Sequence, residues 1–228
     1  YQAKVMIVSY PYNPVCRTAP DTFYEELIAF AKKYDIFVIH DNAYSDIIFD
    51  GREGKSFLAH GGALDIGAEF FSLSKSYNIT GARVSFMAGR KDAVDALKLL
   101  RSQIDFGTFL PVQYGAIAAL RGPREFVKQQ CREYEKRRDT LCGGFRSIGW
   151  HVPDSEGTMF VWAPIPAGYS SSRAFCTAMM ERAGVLCTPG DAFGTLGEGY
   201  VRFALVLPPE ELEEVVRAVE KSGILACM

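Results

Sequence analysis

The stretch that decides the fold is SLSKSYNITGARVSF, residues 72–86. In it, Lys75 stands between Ser72 and Ser74, and Arg83 follows after a glycine turn. Hydroxyl groups and a guanidinium are the donors that a phosphate group prefers, and a neighbouring amine can act as a nucleophile. This combination indicates a lysine that forms a Schiff base with pyridoxal phosphate, next to a phosphate anchor.

Apolar runs on both sides of this stretch predict a strand at residues 68–73 and another at 83–88. Lys75 would then lie on a polar loop between the two strands. An alternative stays open at this point. Since most lysines and arginines lie on protein surfaces, Lys75 could be a solvated side chain and Arg83 a partner in an ion pair at a strand end.

Two earlier stretches also end predicted strands in polar residues. A strand at 4–10 leads into the Asn-Pro turn of YPYNP, at 10–14, and a strand at 36–40 leads into HDNAY, at 40–44. With the strand before Lys75, three successive strands end in polar side chains. In an open α/β sheet, ligands bind at the edge where the parallel strands end, so this arrangement favours a ligand site.

Seven polar positions, in this order and with this spacing, resemble the class I, fold-type I aminotransferases that use pyridoxal phosphate. These positions are Asn13, Asp41, Tyr44, Ser72, Ser74, Lys75 and Arg83. The resemblance extends along all 228 residues. Four segments are most similar to the branch of LL-diaminopimelate and alanine aminotransferases: DNAYSDIIFDG at 41–51, SYNITG at 76–81, IDFGTFLPVQ at 104–113 and GEGYVRFAL at 197–205.

The resemblance implies a role for each residue around the cofactor, pyridoxal 5′-phosphate. Lys75 would be the catalytic residue, which holds the cofactor as a Schiff base, is displaced by the incoming amino acid and then moves a proton. Asp41 would keep the pyridine nitrogen protonated, so that the ring can withdraw electrons. Tyr44 and Asn13 would form hydrogen bonds with the 3′ oxygen of the cofactor.

The remaining matched residues would bind anionic groups. Ser72, Ser74 and Arg83 would hold the phosphate of the cofactor, and Arg202 would bind the α-carboxylate of the substrate. The substrates would be an amino acid and a 2-oxo acid, whose side chains the sequence does not identify. Because side chains alternate along a strand, Arg202 could instead point to solvent.

The predicted fold class is α/β, with two parts joined by a helix. Residues 1–123 would form part of the large cofactor-binding domain of a fold-type I transferase, with a mostly parallel sheet flanked by helices. A long connecting helix at 124–147 would lead into a smaller α+β domain at 148–228. Members of the family are much longer, so the chain is expected to correspond to their C-terminal part.

Several local features are also predicted. Asp21 or Thr22 would cap the start of a helix that ends near Tyr34, and Glu25, three residues after Thr22, would complete a capping box. The strand at 4–10 and the apolar helix at 109–120 are both expected to be buried, because apolar residues cover nearly all of their surfaces.

Three positions, in two places, depart from the family pattern. Val15 and Cys16 replace the usual Thr-Gly after the Asn-Pro turn, which predicts an altered turn. Ala82 replaces the usual aromatic residue before the phosphate arginine, which leaves room beside Arg83.

Composition excludes several other classes of protein. The chain is 48% apolar and 23% charged with a net charge of −2, and it contains no basic patch, so nucleic acid and anionic membranes are not expected partners. No apolar run approaches the roughly 20 residues that span a bilayer, and no signal peptide is visible. The 6 cysteines form no C-x-x-C pair and the 3 histidines lack metal-ligand spacing, so we expect reduced thiols, a cytoplasmic protein and no metal.

Alternatives to an aminotransferase stay open. The same cofactor could serve a related C–S β-lyase, which releases a keto acid without an amino acceptor. A sensor domain of a transcription regulator, similar to an aminotransferase, would not be an enzyme, and a bare structural fragment would have no activity. A homodimer is implied by the resemblance alone.

Overall fold

The computed structural model describes residues 3–225. Cys227, one of the expected reduced thiols, lies outside this range, as do the outer ends of the predicted domains at residues 1 and 228. No helix within the described range is both long enough and apolar enough to cross a membrane.

Contacts between residues divide the chain into two compact units. The first unit extends to Pro11 and resumes from Thr18 to Cys131. The second unit contains the short segment Tyr12–Arg17 and the chain from Arg132 onward. The Asn-Pro turn therefore groups with the C-terminal part of the chain.

The first unit contains a four-stranded sheet in the order β1-β2-β3-β4. Its strands are β1 (Val5–Ser9), β2 (Phe37–Asp41), β3 (Gly67–Ser72) and β4 (Ser85–Gly89). The strands β1, β2 and β3 are parallel to one another, and parallel neighbours need crossover connections. The helix α1 (Phe23–Tyr34) lies in the crossover from β1 to β2, and a second crossover leads from β2 to β3. The strand β4 is antiparallel to β3. A mostly parallel sheet flanked by helices confirms the predicted α/β class.

The other helices of this unit surround the sheet. They are α2 (Ala63–Ile66), α3 (Leu73–Ser76), α4 (Lys91–Ser102), α5 (Leu110–Arg121) and the start of α6 (Glu125–Ser147), with 3-10 turns at Phe57–Ala59 and Thr80–Ala82. The core lies between α1 and one face of the sheet. Tyr24, Leu27 and Ile28 of α1 pack there with Val38 of β2 and with Phe57.

The start of α1 differs from the expected capping box. Thr22 precedes the helix, but its side chain makes no capping bond to the backbone, and its hydroxyl donates to Oε1 of Glu26 at 2.7 Å. Glu25 does not reach back either, because its carboxylate lies 2.9 Å from Nδ1 of His60. A contact with a residue distant in sequence has replaced the local one.

The expected burial of two elements is wrong. On β1, Val5 and Ile7 are 51% and 71% exposed. On α5, Leu110 and Tyr114 are 56% and 64% exposed, and only Ala116 is buried among its residues. An apolar composition indicates that a surface tends to be covered, but burial also needs a second surface to pack against. Within residues 3–225, the exposed apolar side chains of β1 and α5 have no such surface.

The second unit contains an antiparallel sheet in the order β5-β7-β6. Its strands are β5 (Phe160–Pro164), β6 (Thr188–Pro189) and β7 (Tyr200–Ala204). Its helices are the rest of α6, α7 (Ser172–Ala178) and α8 (Pro209–Ser222), with a π-helical turn at Met179–Ala183 and 3-10 turns at Gly190–Phe193 and Thr195–Gly197. Buried rings of Phe145, Trp150 and Phe203 pack against each other, and Phe175 packs against Trp150.

Two glycines end helical segments of this unit. Gly184 and Gly223 have φ values of 67° and 62°, in the left-handed region. Side chains rarely adopt that conformation, whereas glycine does so at little cost.

Candidate functional site

The carboxyl ends of the parallel strands meet at one edge of the first sheet. Ser9 is in register with Asp41, and the Ser9 hydroxyl donates to the Asp41 carbonyl at 2.9 Å. Asp41 is in turn paired with Phe70, two residues before Ser72. The polar residues that end β1, β2 and β3 are therefore neighbours at this edge.

A cavity of about 380 Å³ opens at this edge. Its polar lining consists of Asp41, Ser72 and Ser85, and its apolar lining consists of Ile7, Ile39, Phe70 and Phe71. The carboxylate of Asp41 is solvent-accessible. Sequence reasoning identified Asp41 and Ser72 but missed Ser85, which faces Ser72 across the β3–β4 pair. Apolar walls with a few polar groups are typical of sites for small ligands.

Lys75 lies on α3, a single helical turn that follows β3 directly. The expected polar loop is therefore helical at the lysine, and it continues to the 3-10 turn at Thr80–Ala82. Ser72 begins α3 as its N-cap, because its hydroxyl accepts from the backbone N–H of Ser74 at 3.2 Å. Nζ of Lys75 lies 6.0 Å from the ring centroid of Tyr44, so these two predicted residues are close in space.

Thr80 fixes the positions of two other predicted residues, and sequence reasoning missed it. Its hydroxyl donates to the carbonyl of Ser74 at 3.1 Å, and its carbonyl accepts from Nη1 of Arg83 at 3.2 Å. Ser74 is buried, whereas Arg83 is exposed and has a φ of 52°. The exposed guanidinium keeps further N–H donors for an anion.

A buried carboxylate lies behind this edge, on the face of the sheet that α1 covers. Oε1 of Glu69 accepts from Nδ1 of His40 at 2.8 Å and from Nδ2 of Asn42 at 2.6 Å. Its Oε2 accepts from the Ser56 hydroxyl at 2.5 Å. The Tyr24 hydroxyl lies 3.2 Å from Nε2 of His40. Two of these residues, His40 and Asn42, flank Asp41, so the network holds the end of β2 in place.

The hydrogen bonds keep Glu69 ionised. Burial acts to raise the pKa of this carboxyl, but the bonds from His40 and Ser56 outweigh it and leave the pKa below the usual 4.5. The only sequence signal for this group was an acidic residue in the middle of an apolar strand.

In the second unit, Arg202 on β7 contacts Asn13. Nη1 of Arg202 donates to Oδ1 of Asn13 at 2.8 Å. The guanidinium carbon lies 4.1 Å from the ring centroid of Phe160 and 4.5 Å from that of Phe193. Two aromatic rings and an amide therefore fix the guanidinium, in contrast to the solvent-directed alternative.

Hydrogen bonds of Cys16 hold the altered turn after Asn13-Pro14 in place. Cys16 has a φ of 63°, its thiol donates to the Pro14 carbonyl at 3.0 Å and it accepts from the Thr158 hydroxyl at 3.2 Å. Burial raises the pKa of the Cys16 thiol to about 11. This φ lies in the left-handed region, which glycine adopts at little cost and other residues adopt rarely.

The predicted residues thus fall into two groups. Asp41, Tyr44, Ser72, Ser74, Lys75 and Arg83 lie in the first unit, whereas Asn13 and Arg202 lie in the second. Within each unit, residues far apart in sequence come together, and the pair Asn13 and Arg202 is separated by 189 positions.

Comparisons with known proteins identify what the chain is similar to. The family model "Aminotransferase class I and II" matches residues 1–219. An LL-diaminopimelate aminotransferase of Moorella thermoacetica is 44% identical over 220 residues, which cover 96% of this chain and 56% of that protein. The glutamate-pyruvate aminotransferase AlaC of Escherichia coli is 41% identical over 95% of this chain and 53% of its own length.

Solved structures agree with this similarity. Substrate-bound BacF of Bacillus subtilis matches with a TM-score of 0.93 and 36% identity, over 96% of this chain and 56% of that chain. A probable N-succinyldiaminopimelate aminotransferase of Thermus thermophilus matches with a TM-score of 0.90 and 35% identity, over 96% and 59% of the two chains. The chain spans about half the length of the curated relatives that it matches.

Proposed function

We propose, since this chain belongs to the aminotransferase class I and II family, that it provides the lysine and the substrate arginine of an aminotransferase. Members of this family use pyridoxal 5′-phosphate. The proposed reaction moves an amino group from an amino acid to a 2-oxo acid. One observation carries the proposal: Asp41 and Ser72 line one cavity at the sheet edge, where the turn that bears Lys75 begins.

The side chains at this edge suit the cofactor. A pyridine nitrogen that is protonated carries a positive charge, and Asp41 offers an exposed carboxylate at the cavity. A phosphate needs donors, and the Ser72 hydroxyl and the exposed Arg83 guanidinium provide them. The proposed phosphate ligands also include Ser74, and Tyr44 would donate to the 3′ oxygen. When bound, the cofactor supplies an electron sink for the charge that develops on the substrate.

Lys75 has two tasks in this proposal. Its amine would hold the cofactor, and as a free amine Nζ would take the proton from the substrate Cα. Placement on a helical turn that is capped by Ser72 restricts where this amine can reach. Arg83→Lys would not be a conservative change, because only a guanidinium can donate two parallel bonds to a phosphate.

Asn13 and Arg202 form the proposed carboxylate site. Because Oδ1 of Asn13 accepts from Arg202, its Nδ2 is the atom left to donate to an oxygen anion. The rings of Phe160 and Phe193 keep the guanidinium plane in one orientation, which favours two-point binding of a carboxylate.

The choice of substrate rests on the names of similar proteins. Identities of 44% to an LL-diaminopimelate aminotransferase and 41% to a glutamate-pyruvate aminotransferase support LL-diaminopimelate as an amino donor, or glutamate and pyruvate as a substrate pair. Transfer between glutamate and pyruvate is reversible, and its reverse uses L-alanine as donor and 2-oxoglutarate as acceptor. The test is an assay of the full gene product, loaded with pyridoxal phosphate, with each donor and with and without 2-oxoglutarate. We expect glutamate to form only when donor and acceptor are both present, and we expect no glutamate from Lys75→Arg.

Two results would contradict this proposal. Release of a keto acid and a thiol from a cysteine thioether, without an acceptor, would identify a C–S β-lyase. Absence of turnover with any donor, while the cofactor still binds, would favour the sensor domain.

We also propose a homodimer and a cytoplasmic location. The exposed apolar side chains of α5 support self-association, because a contiguous apolar surface of this kind marks an interaction site. The location rests on the sequence, in which the 6 cysteines form no C-x-x-C pair and a chain of this size needs no disulfide framework. The assignment of residues 1–123 and 148–228 to a cofactor-binding and a small domain stays part of this proposal.

A further inference from the structure

Two cysteines of the second unit lie side by side. Cys176 is on α7 and Cys187 directly precedes β6, and the thiol of Cys187 donates to the sulfur of Cys176 at 3.3 Å. Both residues are partly solvent-accessible. A disulfide holds its sulfur atoms about 2.05 Å apart, so the two sulfurs need to approach by only about 1.2 Å.

We propose that Cys176 and Cys187 are a reversible modification site, which a peroxide closes into an intramolecular disulfide. The thiolate of Cys176 attacks one oxygen of hydrogen peroxide, the O–O bond breaks, and a sulfenic acid forms as hydroxide leaves and takes up a proton. The sulfur of Cys187 then displaces the sulfenic oxygen as water. In sum, two thiols and one peroxide give one disulfide and two waters.

The environment of the pair assigns the roles. The hydrogen bond from Cys187 lowers the pKa of Cys176, and the same bond, together with burial, raises the pKa of Cys187. Cys176 is therefore the attacking sulfur and Cys187 the resolving one, since the thiolate is the nucleophile.

Other thiols are poorer candidates. Cys16 and Cys142 are buried, and burial raises their pKa values to about 11 and about 12. Cys131 directs its thiol to the carbonyl of Ile48 at 3.2 Å.

The disulfide would act on the surroundings of Arg202. Thr188, next to Cys187, is the register partner of Arg202, and the segment continues to Phe193, whose ring covers the guanidinium. The ring of Trp162 lies 5.9 Å from that of Phe193, edge to face. Closure would fasten this segment to α7, and Trp162 would report the change.

The site is tested by peptide mapping. Trypsin separates residues 174–182, which contain Cys176, from residues 183–202, which contain Cys187. The native chain is treated with hydrogen peroxide, blocked with N-ethylmaleimide, digested and analysed by mass spectrometry. We expect a cross-linked pair of these two peptides that dithiothreitol separates. Cys131→Ser should keep the link, and Cys187→Ser should lose it and leave a sulfenic acid on Cys176.

Two outcomes would overturn the proposal. In the first, peroxide oxidises Cys176 in the Cys187→Ser variant, but in the native chain both thiols still react with N-ethylmaleimide after peroxide treatment, so no disulfide has formed. The other is a disulfide from Cys176 to Cys227 in place of Cys187. Tryptophan fluorescence gives an independent readout: it should change on oxidation of the native chain and recover with dithiothreitol, and an unchanged spectrum in the cross-linked chain would refute the effect on Phe193.

Discussion

At the scale of single residues, Glu69 is the buried charged side chain whose stability depends on the largest set of hydrogen-bond donors described above. Its carboxylate is fully buried, and it accepts hydrogen bonds from three side chains and from the backbone N–H groups of Phe57 and Leu58. An ionised acceptor in an apolar surrounding is stable only while such donors surround it. Glu69 therefore links β3 to the end of β2 and to the segment before α2.

The first prediction is that Glu69→Gln lowers the free energy of unfolding by about 2–4 kcal/mol, because an amide group would direct N–H donors at other donors. Urea unfolding at pH 7 measures this change. Glu53→Gln, at an exposed position, should alter stability by less than about 0.5 kcal/mol and serves as the control.

The effect of Glu69→Gln on the free energy of unfolding should also depend on pH. Since the pKa of Glu69 in the folded chain lies below 4.5, its ionised form stabilises the fold at any pH above 4.5. This contribution is lost as the pH falls through the lowered folded value. The difference in stability between the native chain and Glu69→Gln should shrink below pH 4.5, and a difference that grows on acidification would contradict the assigned charge.

A further prediction at this scale concerns Arg202→Lys. Loss of two-point binding should raise KM for the amino acid about 10- to 100-fold, which corresponds to roughly 1.5–3 kcal/mol of charged hydrogen bonding. Arg217→Lys, on the exposed surface of α8, is the matched control. If an amine substrate without a carboxylate is affected to the same extent, Arg202 does not bind the carboxylate.

At the scale of elements, two neighbouring glycines of α6 should behave in opposite ways. A Cβ atom at Gly144 would lie 2.5 Å from a methyl group of Val216 on α8, whereas a Cβ at Gly143 would meet nothing within 4 Å. Gly143→Ala should raise stability by about 0.5–1 kcal/mol through helix propensity. Gly144→Ala should lower it by about 1–3 kcal/mol, since a valine in a helix has one favoured rotamer and cannot move aside.

Thermal unfolding of both variants checks this prediction. An equal gain in melting temperature would mean that α6 and α8 are not in close contact at Gly144.

Many of the helices and their ends were predictable from local sequence. The periodicity of α6 and α8, and the glycines at 184 and 223, depend on residues within a few positions of each other. The capping box failed because His60, 35 positions away, takes the carboxylate of Glu25. The exposed face of α5 could not be predicted either, because composition does not specify which partner covers a surface.

The candidate site also has one part that the sequence predicts and another that it does not. The edge that holds Asp41 and Ser72 follows from parallel strands alone, so the sequence predicts it. The contact between Asn13 and Arg202 joins residues 189 positions apart, and no local pattern could pair them. Thr80 was missed because its contribution is a pair of backbone-directed bonds rather than a recognisable motif.

At the scale of the whole molecule, exposed apolar surface predicts self-association. We expect sedimentation velocity to show species larger than a monomer, in a proportion that rises with concentration. Tyr114→Glu, on the exposed face of α5, should shift the population toward monomer, because a buried carboxylate without a partner is costly. Phe30→Glu, on the exposed side of α1, is the control and should change little. A native chain that stays monomeric at every concentration would contradict this prediction.

The attachment of the cofactor to Lys75 is the central claim, and chemical trapping tests it most directly. This chain and the full gene product are incubated with pyridoxal phosphate, reduced with borohydride, digested and analysed by mass spectrometry. We predict a cofactor-sized mass on the peptide that contains Lys75, lost in Lys75→Ala and retained in Lys98→Ala, which changes an exposed lysine of α4. Absence of that mass from Lys75 in both proteins, or its presence on another lysine, would contradict the account.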